Sequence, residues 1–179
     1  VTSATLSDMH SSVVSAICTL KGPLHGGANE AVMNMLLEIG EPANVEAYMQ
    51  NLLGQKKKVM GFGHRVYKAK DPRAKILEKM SEELGKRKGE TKWFEISHAV
   101  EQIFQPTVAA KGIYPNVDFY SASAYHVLGI PRDLFTPIFA CSRVTGWTAH
   151  LLEQYANNRL FRPASDYVGA MGLKYIPIE

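Results

Sequence analysis

The sequence predicts an all-α protein. Apolar residues recur at three- and four-residue intervals through most of the chain, which is the period of a helix face. No apolar/polar alternation typical of a strand extends beyond about four residues, and Gly or Pro punctuates most junctions between segments. With 179 residues, 46% of them hydrophobic, the chain can bury a core as one domain or as two small lobes.

Three helices are predicted in the first third of the chain. The first covers about 5–20, the second follows the glycine pair at 26–27 and ends at Gly40, and the third is a short helix over 45–53. The first helix has a predicted buried stripe that consists of Leu6, Met9, Val13, Val14, Ile17 and Leu20.

The strongest helix signal begins at Asp71-Pro72, where a capping residue precedes Pro at the first helical position. Glycines at 85 and 89 end this helix. Its predicted buried stripe consists of Ile76, Leu77, Met80 and Leu84.

Further helices are predicted before an extended tail. One covers 93–104 and is stopped by Pro106, and a second covers 117–128 behind a capping Asn116. A third runs from Pro131 toward Trp147, and a further helical stretch continues to about Tyr155. Residues 157–179 contain Pro and Gly and show little periodicity. We expect this tail to need a surface, such as a second subunit, to order it.

Composition excludes several classes of protein. A net charge of +3 is too small to indicate nucleic-acid binding. No apolar run reaches the roughly 18 residues of a membrane span, and no basic-then-apolar leader is present. We therefore expect a cytoplasmic protein. Because the chain starts at Val1 and a packed helix follows almost at once, we also expect a fragment of a longer protein.

The two cysteines, Cys18 and Cys141, both lie in apolar stretches. This placement predicts buried free thiols in a reducing compartment rather than a disulfide framework. Neither cysteine has the partner spacing of a structural zinc site.

Three segments place an ionisable side chain beside Gly or Pro, where backbone turns let side chains converge on a ligand. His25 precedes Gly26-Gly27 and a helix start, whose backbone N–H groups we expect to be open. His64 follows Gly61-Phe-Gly63, and Asp118 lies in the first turn of its helix. Two imidazoles and a carboxylate suffice for acid–base chemistry near neutral pH, whereas the alternative for each is a capping or turn-forming role.

The Asp118 carboxylate needs a desolvating environment to become an effective base. Its neighbours Phe119, Tyr120 and Tyr114 could supply one. The alternative is a simple helix-start Asp, which the helix dipole favours.

The loop around His64 is rich in cations. It is not a dinucleotide fingerprint, because it lacks a third glycine and a preceding strand, but its bare backbone suits hydrogen bonding to a flat heterocycle. The cations suit an anionic polyphosphate ligand, although most charge runs are solvated faces. They are Lys56, Lys57, Lys58, Arg65, Lys68, Lys70, Arg73 and Lys75.

Three arginines differ in how strongly they suggest a site. Arg73 lies in the first turn of a helix, where a cation opposes the dipole, so another reason such as carboxylate binding is needed. Arg143 lies among apolar residues in mid-helix and is expected to meet a buried anion. Arg162 in the tail reads as an ordinary exposed arginine.

Four motifs in order resemble those of the citrate synthase family, of the bacterial dimeric type, over essentially the whole chain. The motifs are Gly22-Pro-Leu-His-Gly-Gly-Ala-Asn, Gly61-Phe-Gly-His-Arg-Val-Tyr with Asp71-Pro-Arg, Pro115-Asn-Val-Asp, and Ser142-Arg with the closing Asn158-Arg-Leu-Phe-Arg-Pro. The resemblance implies an all-α homodimer in which a small domain (27–129) is inserted between large-domain parts (1–26 and 130–179). The family's N-terminal portion, with an oxaloacetate-binding histidine, is not in this sequence.

The resemblance also implies the chemistry. Acetyl-CoA condenses with oxaloacetate to give citrate and CoA: Asp118 removes a methyl proton while His25 hydrogen-bonds the thioester oxygen, and His64 binds and protonates the oxaloacetate carbonyl. The oxaloacetate carboxylates are assigned to Arg73, Arg143 and, from the partner subunit, Arg162. The CoA contacts are assigned to Val59, Met60, Gly61, Phe62, Gly63 and Lys68. No metal and no permanently bound cofactor are implied.

Three alternatives stay open. The first is 2-methylcitrate synthase, whose propionyl-CoA differs from acetyl-CoA by one methylene, worth only about 1–3 kcal/mol in a pocket. The second is a metal site of two histidines and one carboxylate, formed by His25, His64 and Asp118. The third is a catalytically silent fragment of such an enzyme.

Overall fold

The computed structural model describes residues 1–23 and 25–178. Leu24, which directly precedes His25 in the first of the four family motifs, and Glu179 at the end of the tail lie outside the described residues. Within those residues the fold is helical: no strand forms, and the only β-type pairing is an isolated bridge between Phe62 and Pro115. The helices are α1 (Met9–Leu20), α2 (Ala28–Ile39), α3 (Val45–Gly54), α4 (Pro72–Lys88), α5 (Lys92–Val108), α6 (Val117–Val127) and α7 (Phe135–Ala156). The all-α prediction is confirmed.

Helix α6 lies at the centre of the core and contacts α2, α4 and α5. Residues 119–124 of α6 are all buried, and Phe119, Tyr120 and Ala122 share one apolar core with residues of α2 and α5 that include Val32 and Ile96. Burying a side chain of this size contributes roughly 1.5–3 kcal/mol. The helix that carries Asp118 is therefore held by packing on several sides.

The interface between α4 and α6 matches the predicted stripe only in part. Leu77 and Leu84 are half-buried and pack against the core, whereas Ile76 and Met80, expected to be buried, are 62% and 50% exposed. Helix α4 instead turns its small buried residues inward, namely Ala74, Ser81 and Gly85. Ser81 Oγ lies 2.8 Å from Ser123 Oγ of α6. The small residues allow close approach of the two helices, and this pairing is invisible to a count of apolar residues.

Helices α1 and α7 pack together beside this core. Tyr155 of α7 donates a hydrogen bond from its hydroxyl to the carbonyl oxygen of Ser7 at 2.7 Å. The predicted α1 stripe is only partly buried: Leu20 is buried, whereas Val14 and Ile17 are 56% and 46% exposed. Both cysteines are exposed, so the prediction of buried thiols is wrong.

Helix boundaries depart from prediction at three places. Helix α1 starts at Met9, because Asp8 caps it by accepting a hydrogen bond from the Ser11 amide. Helix α5 continues past Pro106 to Val108, so Pro106 does not stop it. A short 3₁₀ turn precedes α7, which then runs unbroken. Residues 157–178 form no helix or strand, as predicted for the tail, and none of the helices described could span a membrane.

Candidate active site

A cavity of about 290 Å³ lies where the segments that carry His25, His64 and Asp118 meet. The first turns of α2, α4 and α6 all contribute to its wall, through Ala28, Arg73 and Val117 respectively. A helix N-terminus presents unpaired N–H groups and a partial positive charge, so each favours an anion. Six predicted site residues line the cavity: His25, Gly63, His64, Arg73, Asp118 and Arg143.

The turn that carries His25 is held by close packing at Gly26. The Gly26 amide donates to the carbonyl oxygen of Leu20 at 2.8 Å, and Thr136 of α7 donates its hydroxyl to the Gly26 carbonyl oxygen at 2.9 Å. A Cβ at this position would lie 2.3 Å from the Leu20 oxygen. The Gly26 amide is therefore not open to a ligand, contrary to the prediction, and the glycine serves close approach instead.

The loop that carries His64 is pinned to the segment before α6. The Gly63 amide donates to the carbonyl oxygen of Tyr114 at 2.8 Å, and the Asn116 amide donates to that of Gly61 at 2.9 Å. Gly61 adopts φ +79°, and a Cβ there would meet Phe119 and Val32 at 2.8 Å. The predicted bare backbone edge is therefore already partly paired at Gly61 and Gly63.

The imidazole of His64 has a defined tautomer. Its Nδ1 accepts hydrogen bonds from the backbone amides of Val66 and Tyr67, both at 3.0 Å. Because an accepting Nδ1 carries no proton, the ring hydrogen lies on Nε2. The ring also stacks on Tyr67, with 4.5 Å between centroids. The arrangement fixes the ring and leaves Nε2–H as a hydrogen-bond donor.

Asp118 has the environment of a base rather than of a solvated helix-start residue. Burial raises the pKa of its carboxyl to about 6, against opposing effects of the cations Arg73 and Arg143. The nearby Asp71 carboxylate raises it further. Asn116 caps the helix by accepting a hydrogen bond from the Asp118 amide at 3.0 Å. The predicted desolvation of Asp118 is found, and a carboxylate with this pKa is ionised at neutral pH yet a stronger base than usual.

The two cavity arginines are held differently. Arg73 already binds a carboxylate, that of Asp71, with 2.7 Å between Nη2 and Oδ2. This ion pair compensates for the unfavourable position of a cation in the first turn of a helix. Arg143 is half-buried and lies 4.8 Å from the centre of the Phe139 ring. Among the described residues no carboxylate forms an ion pair with Arg143, and the predicted buried anionic partner is not found. Its charge instead faces the cavity.

The remaining predicted residues lie outside the cavity. Arg162 is exposed in the tail, and Lys68 is exposed on the His64 loop. Val59 and Gly61 are buried, while Met60 and Phe62 pack against the core. Val59 and Gly61 therefore expose little surface to a ligand, whereas Met60 and Phe62 are only half-buried.

The cationic cluster is smaller than its sequence suggests. Lys70 binds Glu78 and Glu101, with Nζ–Oε distances of 2.7 and 2.6 Å, and Arg73 binds Asp71. The other six cations of the cluster are exposed. An anionic ligand at this surface would meet those six, together with the N–H groups of Arg73 that Asp71 leaves unpaired.

One residue of the cavity wall was missed by the sequence argument. Asn29 is 3% exposed, and its Nδ2 donates to the carbonyl oxygen of Asp118 at 3.3 Å and to Ser121 Oγ. It ties the first turn of α2 to that of α6. An Asn inside a helix is disfavoured by propensity, which was the available signal.

The metal-site alternative has no support from this geometry. Among residues 1–23 and 25–178, no three His, Cys, Asp or Glu side chains are arranged to hold a metal ion. His25, His64 and Asp118 share the cavity wall but do not form a ligand cluster.

Comparison with known proteins places these observations in a family. Residues 1–164 match the family model of the citrate synthase C-terminal domain. The chain is 60% identical over 176 residues to citrate synthase 2 of Bacillus subtilis, which covers 98% of this chain and 46% of that protein. It is 49% identical over 178 residues to 2-methylcitrate synthase of Shewanella oneidensis, which covers 99% of this chain and 47% of that one.

A solved structure with the same fold is that of citrate synthase from Thermoplasma acidophilum in a ternary complex with carboxymethyl coenzyme A and oxaloacetate. It superimposes with a TM-score of 0.92 at 46% identity, covering 99% of this chain and 48% of that chain. The chain thus spans about half the length of the relatives that it matches.

Proposed function

Because this chain belongs to the citrate synthase family, we propose that it provides catalytic residues for condensing acetyl-CoA with oxaloacetate and water to citrate and CoA. This is transfer of an acyl group that becomes an alkyl group in the product. The observation that carries the proposal is the shared cavity in which Asp118, with a pKa raised to about 6, faces two imidazoles and two arginines.

The first step is enolisation of the thioester. Asp118 takes a proton from the acetyl methyl group while His25 donates a hydrogen bond to the thioester oxygen. A thioester α-proton is far too weakly acidic for a carboxylate alone, so electrophilic hydrogen bonding has to share the load. The raised pKa of Asp118 makes its carboxylate a stronger base, which narrows the pKa difference between the base and the thioester α-proton.

The second step forms the carbon–carbon bond. The enol carbon attacks the ketone carbon of oxaloacetate, and the ketone oxygen takes a proton from His64. The Nε2–H tautomer set by the Val66 and Tyr67 amides suits this role. Water then cleaves the thioester: its hydroxyl bonds to the acyl carbon and its proton goes to the departing CoA sulfur, while the proton held by Asp118 returns to His64. Citrate and the CoA thiol leave.

Substrate binding rests on the cations. Arg73 and Arg143 bind the oxaloacetate carboxylates, aided by the three helix N-termini at the cavity. Arg162 reaches the site of a partner subunit in a homodimer, which is a role that its exposure in the tail allows. We propose no resident metal or cofactor, no nucleic-acid or membrane partner, and a cytoplasmic location.

Binding of CoA falls to the loop before and around His64. Because Gly61 and Gly63 are already paired to the segment at 114–116, we assign the adenine contacts mainly to the backbone at Val59 and Met60, with Phe62 beside them. Lys68 is exposed on the same loop, and we assign it to the CoA phosphates. A lysine provides charge there without the fork geometry of arginine.

Release of the CoA thiol tests the proposal. The full-length protein is mixed with oxaloacetate and either acetyl-CoA or propionyl-CoA, and free thiol is followed with time. We expect faster release with acetyl-CoA. A preference for propionyl-CoA would indicate 2-methylcitrate synthase, which its relatives at 46–49% identity make the second candidate, and no release with either would refute the function.

A further inference from the structure

The carboxylate of Asp71 accepts two hydrogen bonds from the guanidinium of Arg73. Arg73 Nε lies 3.1 Å from Oδ1 and Nη2 lies 2.7 Å from Oδ2. Asp71 is 1% exposed, whereas the Arg73 side chain is 45% exposed. The buried carboxylate therefore anchors a cation that lines the cavity. The mechanism proposed above gives Arg73 a role but gives none to Asp71.

This pairing leaves one side of the guanidinium free. Of its five N–H donors, the bonds to Asp71 occupy the Nε hydrogen and one on Nη2. The other three remain for a ligand, in the planar arrangement that suits a carboxylate. An exposed arginine without such an anchor would lose rotamer freedom on binding, at a cost in affinity.

The same ion pair keeps Arg73 from pairing with a second carboxylate, that of Asp118. Arg73 is the cation with the largest effect on the Asp118 carboxyl, and both residues line the cavity at helix first turns. An arginine released from Asp71 would be drawn to Asp118, and an ion pair there would weaken the base and occupy the binding fork. Asp71 holds the two groups apart by satisfying Arg73 first.

We propose that Asp71 is a positioning residue that aims Arg73 at the substrate carboxylate and keeps it from neutralising Asp118. The proposal rests on the function proposed above. This positioning role is distinct from a purely structural role of Asp71 as a helix cap, in which Oδ1 accepts a hydrogen bond from the Arg73 amide at 2.9 Å. A cap needs one oxygen and no charge, so Asn serves equally well.

The variant Asp71→Asn separates these roles because it keeps the cap and removes the charge. In the full-length protein we expect the KM for oxaloacetate to rise about tenfold or more, because the fork loses its anchor. The acid limb of the kcat profile should also move to lower pH. Asp8→Asn is the matched control, since Asp8 caps α1 through the Ser11 amide far from the cavity, and it should change neither quantity.

The sign of the pH shift follows from the charges around Asp118. The groups concerned are Asp71 and Arg73 beside α4, Arg143 on α7, His25 and His64 in the cavity wall, and Tyr125 on its own helix. Loss of the Asp71 charge removes a contribution that raises the Asp118 pKa, and a freed Arg73 lowers it further. Asp71→Glu, which keeps the charge but not the geometry, should raise the KM while leaving the acid limb near its wild-type position.

Three outcomes decide the matter. An unchanged KM and acid limb in Asp71→Asn, with a loss of stability no larger than that of Asp8→Asn, would reduce Asp71 to a cap. If Asp71→Asn does not fold, Asp71→Glu still decides, because a wild-type KM in that variant overturns the proposal. If the wild-type protein releases no CoA, the proposed function fails, whereas calorimetric titration with oxaloacetate still shows whether Asp71→Asn weakens binding of the dicarboxylate.

Discussion

Asn116 donates a hydrogen bond from Nδ2 to the carbonyl oxygen of Gly63 at 3.0 Å. Its Oδ1 meanwhile accepts from the backbone amide of Asp118 at 3.0 Å. One side chain thus joins the residue before His64 to the helix turn that carries Asp118. The sequence predicts the second of these bonds, as a cap, and not the first.

Replacing Asn116 tests this connection. Asn116→Ser keeps a capping oxygen but loses the donor to Gly63, so we expect about 1 kcal/mol less stability and a lower kcat. Asn44→Ser is the control, because Asn44 donates to the Ile39 carbonyl oxygen at 2.9 Å outside the cavity. It should lose similar stability, measured by urea unfolding, with kcat unchanged. Equal kcat in both variants would mean that Asn116 is only a cap.

The base assignment predicts a pH profile and a mutant phenotype. Asp118 has its pKa raised to about 6, so kcat should fall as the pH drops through that value and the carboxylate is protonated. Asp118→Asn should lower kcat by orders of magnitude and leave the affinity for oxaloacetate nearly intact. A near-normal rate in this variant would remove Asp118 from the role.

The same raised pKa carries a consequence for stability. An ionised carboxylate held in a partly dehydrated site costs folding free energy at neutral pH, and this cost shrinks as the pH falls below about 6 and vanishes below the ordinary value of 3.8. Asp118→Asn should therefore raise the Tm at pH 8, with a smaller gain at pH 5. An enzyme that pays in stability for a strong base is expected to show this trade-off, and a lower Tm at pH 8 would contradict it.

The cavity arginines should act on binding rather than on proton transfer. Arg73→Ala and Arg143→Leu each remove a cation from the oxaloacetate site, so we expect a weaker apparent affinity for oxaloacetate by at least about tenfold. Arg87→Ala, at an exposed helix pair with Glu83, is the control and should not change it. Calorimetric titration measures the affinity directly. Unchanged binding in Arg143→Leu would remove that residue from the site.

A buried ionic network beside the cavity should dominate local stability. Glu101 accepts hydrogen bonds from Lys70 and from the Tyr120 hydroxyl. Although burial lowers the pKa of Lys70, its bonds to Glu101 and Glu78 raise it overall above its ordinary value. Glu101→Gln leaves this cation short of a partner, so we expect a loss of about 3 kcal/mol at pH 7.

The pH dependence of that loss has a definite sign. A raised lysine pKa contributes stability that is fully present below the ordinary value of 10.5 and disappears as the pH rises through the folded-state value. The difference between wild type and Glu101→Gln should therefore shrink in strong alkali. Glu82→Gln, at an exposed pair with Lys86, should cost less than about 0.5 kcal/mol at any pH.

The turn at Gly61 should tolerate no side chain. Gly61→Ala combines a positive φ with contacts of 2.8 Å to Phe119 and Val32, so we expect a loss of at least about 2 kcal/mol together with a displaced His64 loop. Gly89→Ala has a similar φ of +69° but nothing within 4 Å, and should cost only about 1 kcal/mol. Equal losses would show that the close packing at Gly61 relaxes.

Much of the architecture could be predicted because it depends on neighbours in sequence. The caps Asp71 and Asn116, and the apolar period of α2 and α5, are all short-range signals. The prediction failed where a distant surface decides burial. Ile76 and Met80 have the spacing of a buried stripe, but the small face of α4 fits against α6 more closely.

The candidate site divides in the same way. The sequence alone determined which residues have the chemistry: His25, His64 and Asp118 beside glycine or proline, and the cations around them. Tertiary structure decided which of these are free to act. Lys70 and Arg73 are one cluster in the sequence, yet the fold pairs Lys70 with two carboxylates and anchors Arg73 through one, which leaves part of the Arg73 guanidinium open to a ligand. Whether a charge is paired or a carboxyl dehydrated depends on groups brought together by packing, and those positions are not encoded in local spacing.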